Sequence, residues 1–234
     1  MFDVIAFDAD DTLWHNESIF IMIQKRFCEM LSSHKPSFVR NTLSKIHIRN
    51  LKHFGYGIKG FVLSMIETFL VLTDGKVKGS EIQMILKYGK EMLESPIELL
   101  PNVIDVLKDL SQNFPLLLIT KGDLIDQERK ISQSGLIDFF EEVEIVSDKT
   151  ELTYEKILTR NNIEYSKFLM IGNSMRSDIV PVVKIGGNAV HIPYLTTWEH
   201  EKDHPHVDLD KYSVLKHIGL LPEFIRSKKW HHRL

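Results

Sequence analysis

Three carboxylates and a hydroxyl, Asp8, Asp10, Asp11 and Thr12, come directly after the apolar run Val4-Ile5-Ala6-Phe7. Carboxylates placed there can bind a hard cation, attack an electrophile or carry a proton. The spacing D-x-D lets Asp8 and Asp10 share one pocket while Ala9 points elsewhere, and the same alternation turns Asp11 toward a turn or hinge hydrogen bond. Asp also favours turns and helix caps in its own right, so the cluster gains weight only in company with three polar groups further along the chain. Thr120-Lys121-Gly122-Asp123 offers a hydroxyl, backbone N–H groups ahead of a helix, and a glycine that permits close approach. That combination suits an anionic oxygen, although a plain helix start accounts for Gly122-Asp123 nearly as well. Lys149 can neutralise a phosphate or hold two carboxylates together. In Gly172-Asn173-Ser174-Met175-Arg176-Ser177-Asp178 an amide oxygen and a carboxylate flank a turn and a helix start. Oxygen ligands of this kind suit Mg2+, which keeps several waters and takes one or two carboxylates.

Each of these groups stands at the end of an apolar run. The first is Val4 to Phe7, then Pro115 to Ile119, Val143 to Val146 and Phe168 to Ile171, with a further run at Ala189 to Ile192. Between them helical spacing recurs around Val103 to Leu110, Leu124 to Ser134, Thr153 to Arg160 and Ser177 to Ile185. Strands alternating with helices of this length predict a parallel sheet, whose ligands bind beyond the carboxyl ends of the strands. From Ser18 to about Glu94 the apolar residues instead keep helical spacing throughout, with breaks at Ser32 to Pro36, Gly55 to Gly60 and Thr73 to Ser80. This predicts about four helices inserted into the sheet domain, with hinges near Trp14 to Glu17 and Glu94 to Pro96. The expected fold is α/β: a three-layer, Rossmann-like parallel-sheet core over residues 1–15 and 96–234, and an α-helical cap over residues 16–95.

Composition narrows the function. The 234 residues carry a formal net charge of −3, so no field is present to gather nucleic acid or an anionic membrane. The single cysteine, Cys28, excludes an internal disulfide and sits among Phe27, Met30 and Leu31 in a helical pattern, as a core residue does. No apolar run approaches 18 residues and the N-terminus lacks a signal-peptide pattern, so a cytoplasmic monomer or homodimer is expected. His200-Glu201-Lys202-Asp203-His204 matches the zinc pattern H-E-x-x-H, but that pattern needs one continuous helix, and Pro205 disfavours helical geometry at His204. A loop after the last core strand is expected there. Residues Arg226 to Arg233 read as a solvated tail, with Trp230-His231-His232 at a mobile terminus.

Asp8-x-Asp10-x-Thr12, Thr120, Lys149, and Gly172-Asn173-Ser174 followed by Asp178 resemble the four ordered motifs of the haloacid dehalogenase superfamily. The resemblance spans residues 3 to about 195, and the helical block lies where members carry an α-helical cap. It implies Mg2+-dependent hydrolysis of a small phosphate monoester, a phosphorylated metabolite, through an aspartyl phosphate. Asp8 would be the nucleophile and Asp10 the acid and base. Asp8, the Asp10 backbone carbonyl, Asn173 and Asp178 would hold Mg2+, while Thr120, Lys121 and Lys149 bind the phosphoryl oxygens and Thr12 orients Asp8. Members that displace halide typically lack the second aspartate, so Asp10 favours phosphoryl transfer. Asn173 stands where the superfamily often has Asp, which removes a charge from the metal site. The alternatives are a phosphomutase, a 2-haloacid dehalogenase and a non-catalytic phosphate-binding protein. Specificity would come from the cap, with Lys52, His53 and Tyr56 as candidates.

Overall fold

The computed structural model describes residues 2–196, 198–202 and 212–230. Its first strand, β1 (Val4–Phe7), buries Ile5, Ala6 and Phe7 completely, as the unbroken apolar run requires of a strand covered on both faces. Four helices come next, α1 (Glu17–Met30), α2 (Pro36–Phe54), α3 (Ile58–Leu72) and α4 (Gly79–Glu94). The chain then alternates through α5 (Val103–Ser111), β2 (Leu116–Lys121), α6 (Leu124–Ser134), β3 (Glu142–Val146), α7 (Glu151–Arg160) and β4 (Phe168–Gly172). A π-helical turn, Met175–Ile179, runs into α8 (Val180–Lys184), after which come β5 (Asn188–His191), α9 (Glu199–Lys202), β6 (Tyr212–Val214) and α10 (Leu221–Trp230).

The six strands form one parallel sheet in the order β3-β2-β1-β4-β5-β6. Alternate residues face opposite ways, as the two-residue period demands. Ile5, Phe7, Leu116, Leu118, Leu169 and Ile171 pack with Val106, Leu107 and Leu110 of α5 and Leu221 and Ile225 of α10. Ala6, Leu117, Ile119, Phe168 and Met170 pack with Tyr154, Ile157 and Leu158 of α7 and Val182 of α8. Helices on both faces of a parallel sheet make the three layers. The strand order reverses at β1, between β2 and β4, and the crevice beyond the carboxyl ends at such a point is where these sheets bind ligands.

Four elements run against expectation. Residues 200–202, expected in a loop after the last core strand, lie in the short helix α9. Residues 226–230, expected in a solvated tail, belong to α10, whose Leu221 and Ile225 lie in the core; residues 231–234, with His231 and His232, lie outside the described residues. The edge strand β6 has only three residues, too few to show a period. The helix expected over residues 177–185 is divided, because the π turn gives way at Val180 to a short helix with Pro181 in its first positions, where a missing N–H costs nothing.

The described residues among 1–15, 97–121 and 128–234 form one compact unit. In it the departing and returning chains run side by side: Leu100 N–H donates to Leu13 O and His15 N–H to Glu98 O, both at 2.9 Å. Residues 16–96 with 122–127 form the other. Its core joins Ile23 and Phe27 of α1, Val39 and Leu43 of α2, Phe61, Met65 and Phe69 of α3, and Ile85 and Met92 of α4, with Cys28 buried among them. Gly89 of α4 lets α3 approach closely, since a Cβ there would meet Val62 Cγ2 at 2.5 Å. Within this unit Lys59 Nζ bonds both carboxylate oxygens of Asp123 at 2.9 and 3.0 Å, which ties the segment 122–127 to α3. Among the described residues no helix is long and apolar enough to cross a membrane.

Candidate active site

Asp8 directly succeeds β1, and its N–H donates to Ile171 O of β4 at 2.8 Å, extending the ladder by one residue and fixing the backbone under the carboxylate. Asp8 Oδ2 accepts from Thr12 Oγ1 at 2.9 Å, and Oδ1 accepts from Lys149 Nζ at 2.6 Å. The same ammonium donates to Asp178 Oδ1 at 2.7 Å, and Asp178 Oδ2 accepts the Ser174 N–H at 3.0 Å. Asp8, Lys149 and Asp178 are all buried. Of the two uses open to Lys149 in the sequence, the geometry has it holding two carboxylates together. Asn173 Oδ1 lies 3.5 Å from the Thr12 hydroxyl, so the β4 loop closes the cluster on that side.

The local backbone is built for this approach. Gly172 ends β4, and a Cβ there would meet Asp178 Oδ2 at 2.2 Å, so only glycine admits the carboxylate. The π turn next to it carries Asp178. Ser174 caps that turn by accepting the Ser177 N–H at 3.0 Å, and the buried Tyr154 hydroxyl donates to Ser177 O at 3.0 Å. Single π turns inside helices often mark functional sites.

Two buried carboxylates sharing one ammonium leave negative charge in excess. Burial, then the charge of Asp178, push Asp8 up to about 7 against the opposing pull of Lys149. Burial alone would lower Lys149, yet the charges of Asp178 and Asp8 outweigh it and raise the group. Tyr154 is held well above its ordinary value by burial and by the same two carboxylates. A second cation would balance the cluster. Among the described residues no three His, Cys, Asp or Glu side chains converge to hold a metal, so an ion here would rest on two carboxylates, an amide and backbone or water oxygens. That all-oxygen set fits a hard ion such as Mg2+ and not zinc, which prefers nitrogen and sulfur.

Thr120 ends the buried part of β2 with 1% of its surface exposed, and its hydroxyl has no hydrogen-bond partner among the described residues. Such an orphan is rare and suits an outside partner. Lys121, expected on the same ligand, is engaged elsewhere: its Nζ donates to Ser177 Oγ and Glu201 Oε1, both at 2.6 Å. Glu201 also accepts from the hydroxyls of Ser174 and Ser177. Burial opposes its charge, but Lys121 and these hydrogen bonds hold it down to about 2. The H-E-x-x-H match therefore has its Glu committed to an ion pair, and its Asp203 and second histidine, His204, lie outside the described residues. Sequence reasoning missed Glu201 as a site residue; its one signal was a carboxylate after β5.

Asp10 takes different partners from Asp8. Its Oδ1 accepts from Trp14 Nε1 at 2.7 Å, and Lys130 Nζ donates to both oxygens at 2.7 Å. Its charge still adds to the upward push on Asp8. Lys130 also escaped the sequence reading, because a lysine on a helix is ordinarily solvated. Asp11 sits at φ 62°, the left-handed region that Asp tolerates better than most, in the turn closed by its N–H to Trp14 O. In the helical unit Lys52 and His53 are exposed at the end of α2, and Tyr56 is half-buried beyond it.

A family model for haloacid dehalogenase-like hydrolases matches residues 2–183. No curated protein matches the sequence. Among solved structures, a haloacid dehalogenase-like family hydrolase from Xanthomonas campestris shares 36% identity with a TM-score of 0.85, over 97% of this chain and 91% of its own. An HAD hydrolase from Bacillus subtilis, bound to magnesium, superposes at a TM-score of 0.67 with 17% identity over 96% of this chain and 98% of its own. The L-2-haloacid dehalogenase from Xanthobacter autotrophicus, with chloropropionic acid covalently bound, also reaches 0.67, at 12% identity over 97% of this chain and 99% of its own. The last two are likenesses of fold alone.

Proposed function

The chain belongs to the haloacid dehalogenase-like hydrolases, and within that family we propose that it is a Mg2+-dependent phosphatase acting on a small phosphate monoester through an aspartyl phosphate. The observation that carries this reading is the buried group Asp8, Lys149 and Asp178, two carboxylates on one ammonium, with the Thr120 hydroxyl, which has no hydrogen-bond partner among the described residues, at the end of the neighbouring strand. An excess of buried negative charge suits a cation, and an unused donor suits a ligand oxygen.

In the first step an Asp8 carboxylate oxygen attacks phosphorus, the bond to the leaving oxygen breaks, and Asp10 gives that oxygen its proton. In the second, Asp10 takes a proton from water as the water oxygen attacks phosphorus, and the Asp8–phosphorus bond breaks to release inorganic phosphate. Thr12 and Lys149 fix the two Asp8 oxygens. Thr120 binds a phosphoryl oxygen together with the third N–H of Lys149, whose other two hold Asp8 and Asp178; Lys121, neutralised by Glu201, is not in this set. Asp8, the Asp10 carbonyl, Asn173 and Asp178 would hold the metal. When bound, Mg2+ supplies the positive charge that keeps Asp8 ionised and screens it from the incoming phosphate. The helical unit would act as a cap that selects the ester.

The rival with a specific observation behind it is haloacid dehalogenation, the reaction named for several structural neighbours. A departing halide needs no proton, and Asp10 gives this site a proton carrier that such a reaction does not use. A panel of phosphate monoesters assayed with Mg2+ and with EDTA tests the proposal. Phosphate release that EDTA abolishes and Mg2+ restores is expected. Halide release from 2-haloacids without any phosphatase activity would overturn it.

A further inference from the structure

The clamp on Asp10 comes from outside the four motifs. Lys130, on the second turn of α6, has a side chain only 6% exposed and directs its ammonium at both Asp10 oxygens, at 2.7 Å each. A lysine is almost never so buried unless its charge is paired. On the other side the fully buried Trp14 donates its indole N–H to Asp10 Oδ1 at 2.7 Å. Trp14 is itself pinned by the turn after β1, where its carbonyl accepts the Asp11 N–H at 2.8 Å. Of these donors two reach one carboxylate oxygen and one the other, from α6 and from the turn after β1, and together they hold the Asp10 carboxyl group against rotation. Thr12 and Lys149 hold Asp8 through a separate set of hydrogen bonds, which shares no donor with the set on Asp10.

We propose that Lys130 is a positioning residue for proton transfer by Asp10: it holds the carboxylate in the orientation from which the leaving oxygen is protonated and water deprotonated. The inference rests on the phosphatase reading above. Removing the ammonium takes away a donor that reaches both oxygens, and the carboxyl group turns about its bond to Trp14. Asp8 and the phosphate-binding groups stay in place, so binding is spared while proton delivery suffers. The loss is selective, because a basic leaving group needs a proton in the transition state and a weakly basic one departs without it.

The test uses the full chain with Mg2+ and two substrates, phenyl phosphate and p-nitrophenyl phosphate, with wild type, Lys130→Met, Lys130→Arg, Asp10→Asn and the Asp10→Asn/Lys130→Met double variant. Lys130→Met should lower kcat/KM, which reports formation of the aspartyl phosphate, about tenfold or more on phenyl phosphate, within the range general acid catalysis supplies, and distinctly less on p-nitrophenyl phosphate. KM should stay within about twofold, since uniform binding is untouched. Lys130→Arg, which keeps a charged donor, should recover part of the loss. The double variant should be no slower than Asp10→Asn alone, because a positioning residue has nothing left to position. Equal losses in kcat/KM on both substrates, or losses that multiply in the double variant, would overturn the inference. Should Lys130→Met not fold, Lys130→Gln carries the same comparison. If Asp10→Asn itself leaves phenyl phosphate turnover unchanged, the phosphatase role of Asp10 fails first; if only the Lys130 variants are silent, the clamp alone fails.

Discussion

Both units bury polar side chains, and they do so in opposite ways. In the helical unit His47, Asn50, Ser64 and Thr68 lie between α2 and α3 as a closed seam. His47 Nδ1 meets Ser64 Oγ at 3.2 Å, Asn50 Nδ2 reaches Glu67 at 2.7 Å, and the Ser64 and Thr68 hydroxyls donate to carbonyls one turn back at 2.8 and 2.7 Å. Glu67 is paired with Arg49 in turn. At the carboxyl ends of the strands the buried polar groups are charged and do not balance: Asp8 and Asp178 share Lys149, and the Thr120 hydroxyl has no partner among the described residues. A closed network stabilises a fold, whereas an open one costs stability that only a ligand returns. The contrast separates a structural seam from a reactive site without reference to any motif.

Substitutions break that contrast in a definite order. Asp8→Asn should reduce turnover at least about a thousandfold, as loss of a nucleophile does. In EDTA it should also raise stability by on the order of 1 kcal/mol, because the remaining carboxylate and ammonium then balance; thermal unfolding and a phosphatase assay on the same protein check both halves. Lys149→Met should cost about 3–5 kcal/mol in urea unfolding, since it strands two buried carboxylates. Glu201→Gln tests the neighbouring network through pH. The folded-state value of Glu201, about 2, lies below its ordinary 4.5, so its stabilisation is complete above about pH 5 and disappears as pH falls from there toward 2. Wild type should lose about 3 kcal/mol across that window that the glutamine variant does not; parallel pH profiles would contradict the ion pair with Lys121. Ser64→Ala is the smallest, about 1–3 kcal/mol of stability from the partners it leaves short, with kcat per folded molecule unchanged.

The sheet was legible in the sequence because a strand buried on both faces leaves an unbroken apolar run, as at Leu116 to Ile119 and Phe168 to Ile171. The four helices of the inserted unit were legible through their period and their Gly, Pro and Ser breaks. Strand β6 was not, since three residues show no period, and α10 was hidden by the basic residues after Arg226 although Leu221 and Ile225 carry helical spacing. The site residues at strand ends announced themselves by type and place. Glu201 and Lys130 did not, because their roles come from partners 80 and 120 residues away along the chain, Lys121 and Asp10. The D-x-D spacing brought Asp8 and Asp10 near each other, but no spacing rule could say that Lys149 would take one and Lys130 the other.

The most direct test traps the covalent intermediate. Asp10→Asn protein, in which breakdown of the intermediate is slowed, is mixed with a phosphate monoester and Mg2+, quenched in acid, digested and mapped by mass spectrometry. A phosphoryl group on the peptide carrying Asp8, absent from Asp8→Asn protein treated alike, is the predicted result. Turnover by wild type with no phosphoryl group on Asp8, or a phosphoryl group on another residue, would contradict the account.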